Sequence, residues 1–113
     1  MDIRAFVEEL LNALANLEEV KQVGLSTEGP TVSGRAYLHS KMFLSFYYNE
    51  ETETMAFALI QGQNRIWGID CDNIRGWHLH PAEDPDHHVA IDPLSVSDII
   101  QQLAQVISTI SDL

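Results

Sequence analysis

"KMFLSFYYNEETETMAFALIQGQNRIWGID", residues 41–70, decides the fold. Its apolar residues alternate. Met42, Leu44, Phe46 and Tyr48 fall on one side of an extended chain, and Phe43, Ser45 and Tyr47 on the other, because successive side chains of a strand point to opposite faces. After the polar turn "EETET", Met55, Phe57 and Leu59 repeat the same period. "GQN" supplies the Gly and Asn of a tight turn, and "RIWGID" starts the next run. Strand-like runs joined by connections this short read as an antiparallel meander.

The pattern extends outward from there. "RAYLH", 35–39, is expected as the strand before; "CDN" turns the chain after, into "IRGWHLH", 74–80, and "VAID", 89–92, is expected as a short edge strand. "STEGPTVSGR", 26–35, reads as a turn-rich loop broken by Gly29-Pro30 and Gly34. Both ends of the chain switch to a helical period. Ile3, Phe6, Val7, Leu10, Leu11, Leu14 and Leu17 form one stripe, and Val96, Ile99, Ile100, Leu103, Val106, Ile107 and Ile110 form another. The first helix is expected to end near Val20–Gly24, with Lys21 at the negative end of its dipole and Gly24 as a left-handed cap. Ser95 and Asp98 resemble a capping box for the second. Neither stripe can stay in water, and one apolar sheet face can cover both. The expected fold is therefore α+β: an antiparallel meander of four to six strands with an N-terminal and a C-terminal amphipathic helix packed on one face. It forms a single domain, 1–113, whose second sheet face is left open around Tyr47 or Phe43.

Composition narrows the function. With 45% apolar residues the chain can build a core. No apolar run reaches the roughly 18 residues of a membrane span. "MDIRAFVEELLNAL" has acids inside its apolar stretch, unlike a secretory signal, so a cytoplasmic protein is expected. The lone Cys71 allows no internal disulfide. Asp70 and Asp72 flank it and would raise its pKa, so it is expected as a half-buried apolar residue. The net charge is −11. Residues 1–34 carry two basic and six acidic side chains (−4), residues 35–80 four and five (−1), and residues 81–113 none and six (−6). An anion would be repelled everywhere except by the middle segment.

"GWHLHPAEDPDHH", 76–88, holds four of the five histidines. If 76–80 is extended, His78 and His80 point to the same face, and Trp77 and Leu79 to the other. His87 and His88 are adjacent and point apart, so at most one of them joins the pair. Three readings stand side by side. Three imidazoles, His78, His80 and His88, or two with a carboxylate from Glu83, Asp84 or Asp86, suit Zn²⁺ or another divalent transition metal and leave a position for water. The spacing matches no structural zinc motif. Alternatively, one imidazole acts as base and another as acid in RNA cleavage through the 2′-hydroxyl, with Arg65, Arg75 or Lys41 on the phosphate. The third reading is a solvent-facing loop whose imidazoles bond to nearby acids. His39 stands alone at a strand end. Trp67 and Trp77 are expected in the sheet or core.

Arg35, Tyr37, Leu38, Phe43, Leu44, Tyr48 and Asn49 begin a further pattern, continued by Ala58, Leu59, Ile60, Arg65, Gly68 and Asp70. It runs on through Trp77, His78, His80, Pro81, His87 and His88. From Arg35 to about Leu103, some two thirds of the chain, this resembles the TumE-like proteins, the toxin half of prokaryotic toxin–antitoxin pairs whose other half is a helix-turn-helix protein. "WH.HP…HH" is the specific part, and the N-terminal helix lies outside it. The resemblance implies a growth-inhibiting toxin or a degenerate relative, with a helix-turn-helix antitoxin as partner. The charge departs from the basic character of toxins that cut RNA, unless the sheet gathers Arg35, Arg65, Arg75 and Lys41. The leading expectation is a toxin-like component acting as a small ribonuclease. In it His78 and His80 carry proton transfer or metal ligation, His88 assists, and Arg75 or Arg65 binds phosphate. The competing expectation is a non-catalytic interaction or metal-binding module that forms a homodimer.

Overall fold

Met42, Leu44, Phe46 and Tyr48 are buried, while Phe43, Ser45, Tyr47 and Asn49 between them are only half so. In the computed structural model, which describes residues 1–39 and 41–110, they form the strand Met42–Asn49. The elements run α1 (Ile3–Ala15), β1 (Gln22–Glu28), β2 (Thr31–Tyr37), β3 (Met42–Asn49), β4 (Thr54–Gln61), β5 (Asn64–Asp72), β6 (Gly76–His80), β7 (Val89–Ala90) and α2 (Val96–Ile110). The seven strands make one antiparallel sheet in chain order.

Register joins the buried residues into one face. Leu44 lies opposite Leu59, Phe46 opposite Phe57 and Tyr48 opposite Met55; Phe57 and Leu59 then face Ile69 and Trp67. Both helices cover this face. From α1 come Phe6, Leu10 and Leu14, and from α2 Val96, Ile99, Ile100, Leu103 and Ile107, all buried. Phe6 stacks on Tyr48 with ring centroids 4.7 Å apart, and the Tyr48 hydroxyl donates to the Met1 carbonyl at 2.5 Å. Asp2 caps α1 by accepting from the Ala5 N–H at 2.8 Å. The capping box of α2 forms as read: Asp98 N–H donates to Ser95 Oγ at 3.0 Å, and Ser95 N–H to Asp98 Oδ2 at 3.4 Å. No helix among the described residues is long and apolar enough to cross a membrane.

The strand count exceeds the expected four to six because residues 26–35 are not a loop. They lie in a hairpin of β1 and β2 that turns at Gly29-Pro30, Gly29 having φ +57°. β1 is an edge strand with only Val23 half-buried, so it carries no alternating signal. α1 also stops earlier than expected, at Ala15, with Asn16 as its C-cap. Gly24 is a strand residue, not a cap, and the Lys21 N–H donates to the Tyr37 carbonyl at the end of the β1–β2 ladder. "VAID" shortens to Val89–Ala90, and Ile74 and Arg75 lie in a turn held by Asp72 Oδ1, which accepts from both N–H groups at 2.8 and 2.6 Å. Gly34, read as a breaker, is a packing requirement. It lies opposite Phe46, and a Cβ there would sit 2.7 Å from Phe46 Cζ and collide with the Gly24 carbonyl. Gly34→Ala is therefore expected to cost about 1–3 kcal/mol by overpacking, read as a lower urea midpoint with an unchanged slope.

The same register defines the face turned away from the helices. One row crosses it as Arg35, Ser45, Ala58, Gly68 and His80; the next as Ser33, Tyr47, Ala56, Asp70 and His78.

Candidate functional site

β6 places His78 and His80 on that outer face, opposite Asp70 and Gly68, while Trp77 and Leu79 pack against the core. Both imidazoles are nevertheless buried, His78 at 4% and His80 at 2% exposure. The cause is the proline-shaped loop after β6. Its turns close through Asp84 N–H to the Pro81 carbonyl and His87 N–H to the Asp84 carbonyl. The loop then returns to pair Val89 with Leu79 and Ala90 with His78. The residue just before this pairing, His88, completes a ring cluster. Its centroid is 4.3 Å from that of His80 and 5.4 Å from that of His78, which are themselves 5.2 Å apart. One ring nitrogen of each lies within 4.8 Å of the other two.

The hydrogen-bond partners decide what these nitrogens can do. Nδ1 of His78 faces the Gly76 carbonyl at 3.3 Å, and Nδ1 of His80 the Pro85 carbonyl at 3.1 Å. A carbonyl only accepts, so the ring hydrogen belongs on Nδ1 in both rings, an assignment made from the partners. In the neutral rings each Nε2 then presents a lone pair. Those two atoms converge on one carboxylate oxygen: Asp70 Oδ2 is 3.1 Å from His80 Nε2 and 3.3 Å from His78 Nε2. The second contact has ion-pair distance but not hydrogen-bond alignment, and His78 Nε2 is a buried nitrogen without a hydrogen-bond partner. Lone pairs gathered around a carboxylate need a positive charge among them, either an extra proton or a bound cation. Two Nε2 atoms and an exposed third imidazole are a donor set suited to zinc-class ions, with the Asp70 carboxylate beside the first two. Backbone carbonyls holding the Nδ1–H groups are the outer support such ligands use.

His88 is exposed, and its pKa lies below the ordinary 6.5. Partial desolvation of the ring is the main cause, followed by the positive charge of His80, Arg75, His78 and Arg65. The same field locates the two arginines. Arg65 Nη2 donates to the Pro85 carbonyl at 3.4 Å, and Arg75 Nε pairs with Asp72 Oδ2 at 3.5 Å. They flank the cluster without touching an imidazole. Glu83, Asp84 and Asp86 are exposed, and the carboxylate against the rings is Asp70 instead. His87 stays outside the convergence, as does His39 in the β2–β3 turn. Cys71 is half-buried beside the core, and its thiol pKa is raised, first by burial, then by Asp72 and Glu53. Trp67 is buried in the core. The chain matches no protein-family model, no curated protein and no solved structure.

Asp70 was legible in principle. The turn 73–75 sets positions 72 and 76 opposite each other, and counting back along the two strands puts 70 against 78. In the sequence Asp70 stands out as a neighbour of Cys71 and as a member of the TumE-like pattern, not as a partner of the imidazoles.

Proposed function

We propose that this protein is a toxin-like component of a toxin–antitoxin module whose reactive centre is the cluster of His78, His80, His88 and Asp70, working as a transition-metal site. The observation that carries it is the pair of lone-pair nitrogens converging on Asp70 while their Nδ1 atoms are held by carbonyls. When bound, a zinc-class ion supplies a Lewis acid and an activated water for cleavage of a phosphodiester. The chain's own residues do the rest. His78, His80 and Asp70 hold a fixed half of the site in the sheet. His88 closes it from the solvent side, and Arg65 and Arg75 set a positive rim for phosphate oxygens. In this reading the protein acts in the cytoplasm, is restrained by a helix-turn-helix antitoxin, and self-associates. The unpaired edge of β1, with Leu25 exposed, supports the last point, and light scattering of a strictly monomeric species at micromolar concentration would remove it.

A second reading keeps the residues and drops the metal. The lowered pKa of His88 suits a general base, with His80 as its acid partner, in transesterification through the 2′-hydroxyl. His88→Ala separates function from folding, because the residue is exposed and its loss costs little stability. Expression of the wild-type chain without its antitoxin is expected to arrest growth, and purified protein to degrade single-stranded RNA. His88→Ala is expected to lose 10²-fold or more of that activity, on the order of a lost acid–base or ligating group, while melting like the wild type. Activity that survives chelation transfers the proposal to the metal-free form. A variant as toxic as wild type rejects the site, and stoichiometric metal without toxicity leaves a binding module.

A further inference from the structure

The cluster occupies one side of the outer sheet face, and the rest of that face is built differently from an ordinary solvated one. From the register, Ser45, Ala56, Ala58 and Gly68 form a floor of small side chains beside His78 and His80. Alanine is a poor strand residue, and a Cβ at Gly68 would stand 2.8 Å from the Phe57 carbonyl, so the floor is kept low. On its far side stand Arg35, Phe43 and Tyr47. The Arg35 guanidinium lies over the Phe43 ring, 4.4 Å from its centroid, and the Tyr37 ring is tilted against that of Phe43 with centroids 6.1 Å apart. From Arg35 to His80 is four strand spacings, about 19 Å.

Half of the cations meet on this face. Of six Lys and Arg in a chain of net charge −11, Arg35 and Arg65 start from it and Arg75 is paired to Asp72 at its margin. Of the acids around it, Asp70 is engaged by the imidazoles and Asp72 by Arg75, Glu28 stands at the outer end of β1, and Glu83, Asp84 and Asp86 are exposed on the loop that covers the cluster. Strands β2–β4 themselves place no acid on this face, so a phosphate near Arg35 meets a cation there despite the overall charge. Half-buried aromatic rings, one of them under a stacked guanidinium, on a sheet face that also carries arginines fit unpaired bases, which every sequence can supply.

We infer that the outer face of β2–β4 is a docking track for single-stranded RNA, leading from Arg35, Phe43 and Tyr47 across the small-residue floor to the histidine cluster. This rests on reading the cluster as an RNA-cleaving centre, and it names where the substrate lies. Base stacking engages Tyr47 and the Phe43–Arg35 pair, and Arg65 takes a phosphate next to the cleavage point.

The test is binding without turnover: fluorescence anisotropy of a short labelled single-stranded 2′-O-methyl oligoribonucleotide, with EDTA present, against the full chain. Wild type is expected to bind, with affinity falling as salt rises between about 50 and 200 mM. Tyr47→Ala and Arg35→Gln are each expected to weaken binding about fivefold or more, the scale of one lost stacking partner. Arg4→Gln, on α1 across the molecule, is expected to bind as wild type. Binding with these effects supports the track even if the protein cleaves nothing, so failure of the catalytic reading shows separately. No binding at low salt, both face variants binding as wild type, or duplex DNA of equal length competing equally well would each overturn it.

Discussion

Zinc is expected to bind at one ion per chain and to raise the stability of this protein by several kcal/mol, and the gain is expected to disappear in His78→Ala. His78 Nε2 is buried beside Asp70 Oδ2 and a second Nε2, with nothing bonded to it. That arrangement costs energy in the folded chain until a cation joins it. An ion that binds only the folded state stabilises it by RT ln(1 + [L]/Kd), about 4 kcal/mol at a thousandfold excess over Kd. For a domain near this size that is a melting shift of roughly 15 °C. Titration of tag-free protein in a thermal melt reads it directly, and EDTA should reverse it. In His78→Ala the apo protein loses an unsatisfied group but keeps the rest of the fold, so its melt should become insensitive to the metal.

The pH dependence carries its own sign. Protons compete with the ion for each imidazole. His88 is held below the usual histidine range, chiefly by desolvation and the charges of His80 and Arg75. Its ring therefore stays neutral and able to ligate at pH values where an ordinary histidine is already half-charged. The unfolded chain takes up that proton first, so the contribution of His88 to stability is present above about pH 6.5 and is lost on acidification. The zinc-induced shift should be full at neutral pH and shrink as the solution is made acidic. A shift that grew with acid, or that survived in His78→Ala, would place the ion elsewhere.

What could be read in advance, and what could not, follows from where each signal lives. The alternation in 42–49 and 55–59 is forced by burial on one side, and the structure follows it residue by residue. The common face of His78 and His80 is a local consequence of extended backbone, and the same holds for Trp77 and Leu79 turning inward. β1 escaped because an exposed edge strand is selected by pairing alone, which leaves no apolar period. Gly34 was misleading because glycine looks the same whether it ends a strand or makes room for a ring, and only Phe46 opposite distinguishes the two. The end of α1 was misplaced because Leu17, though beyond the helix, still packs on the core and continues the stripe. Asp70 follows from the local register of the β5–β6 hairpin, but the burial of the imidazoles depends on the loop 81–88 folding back, which no local pattern shows.

Phe6→Ala is expected to be the most damaging single truncation in the N-terminal helix, costing about 3–5 kcal/mol. Phe6 is fully buried, stacked on Tyr48 and 6.1 Å from Phe57, so its ring fills the space between α1 and the middle of the sheet. Removing it leaves a cavity bounded by two large aromatic groups that are themselves fixed by strand pairing and cannot collapse inward. It also loosens the partner that helps hold Tyr48, whose hydroxyl bonds to the Met1 carbonyl. Single domains have only about 5–15 kcal/mol in total, so the variant should unfold at a much lower urea concentration, and α1 should exchange its amide hydrogens ahead of the strands. Leu11 is 40% exposed on the same helix, and Leu11→Ala should cost far less. Equal losses at both positions would mean that α1 is held by general apolar contact, not by the Phe6–Tyr48–Phe57 stack. The outer-face cluster gives a further check. It lies across the sheet from Phe6, so a zinc-induced stabilisation retained in Phe6→Ala would show that the site is built by the strands and the loop 81–88, independently of how firmly the helix is docked.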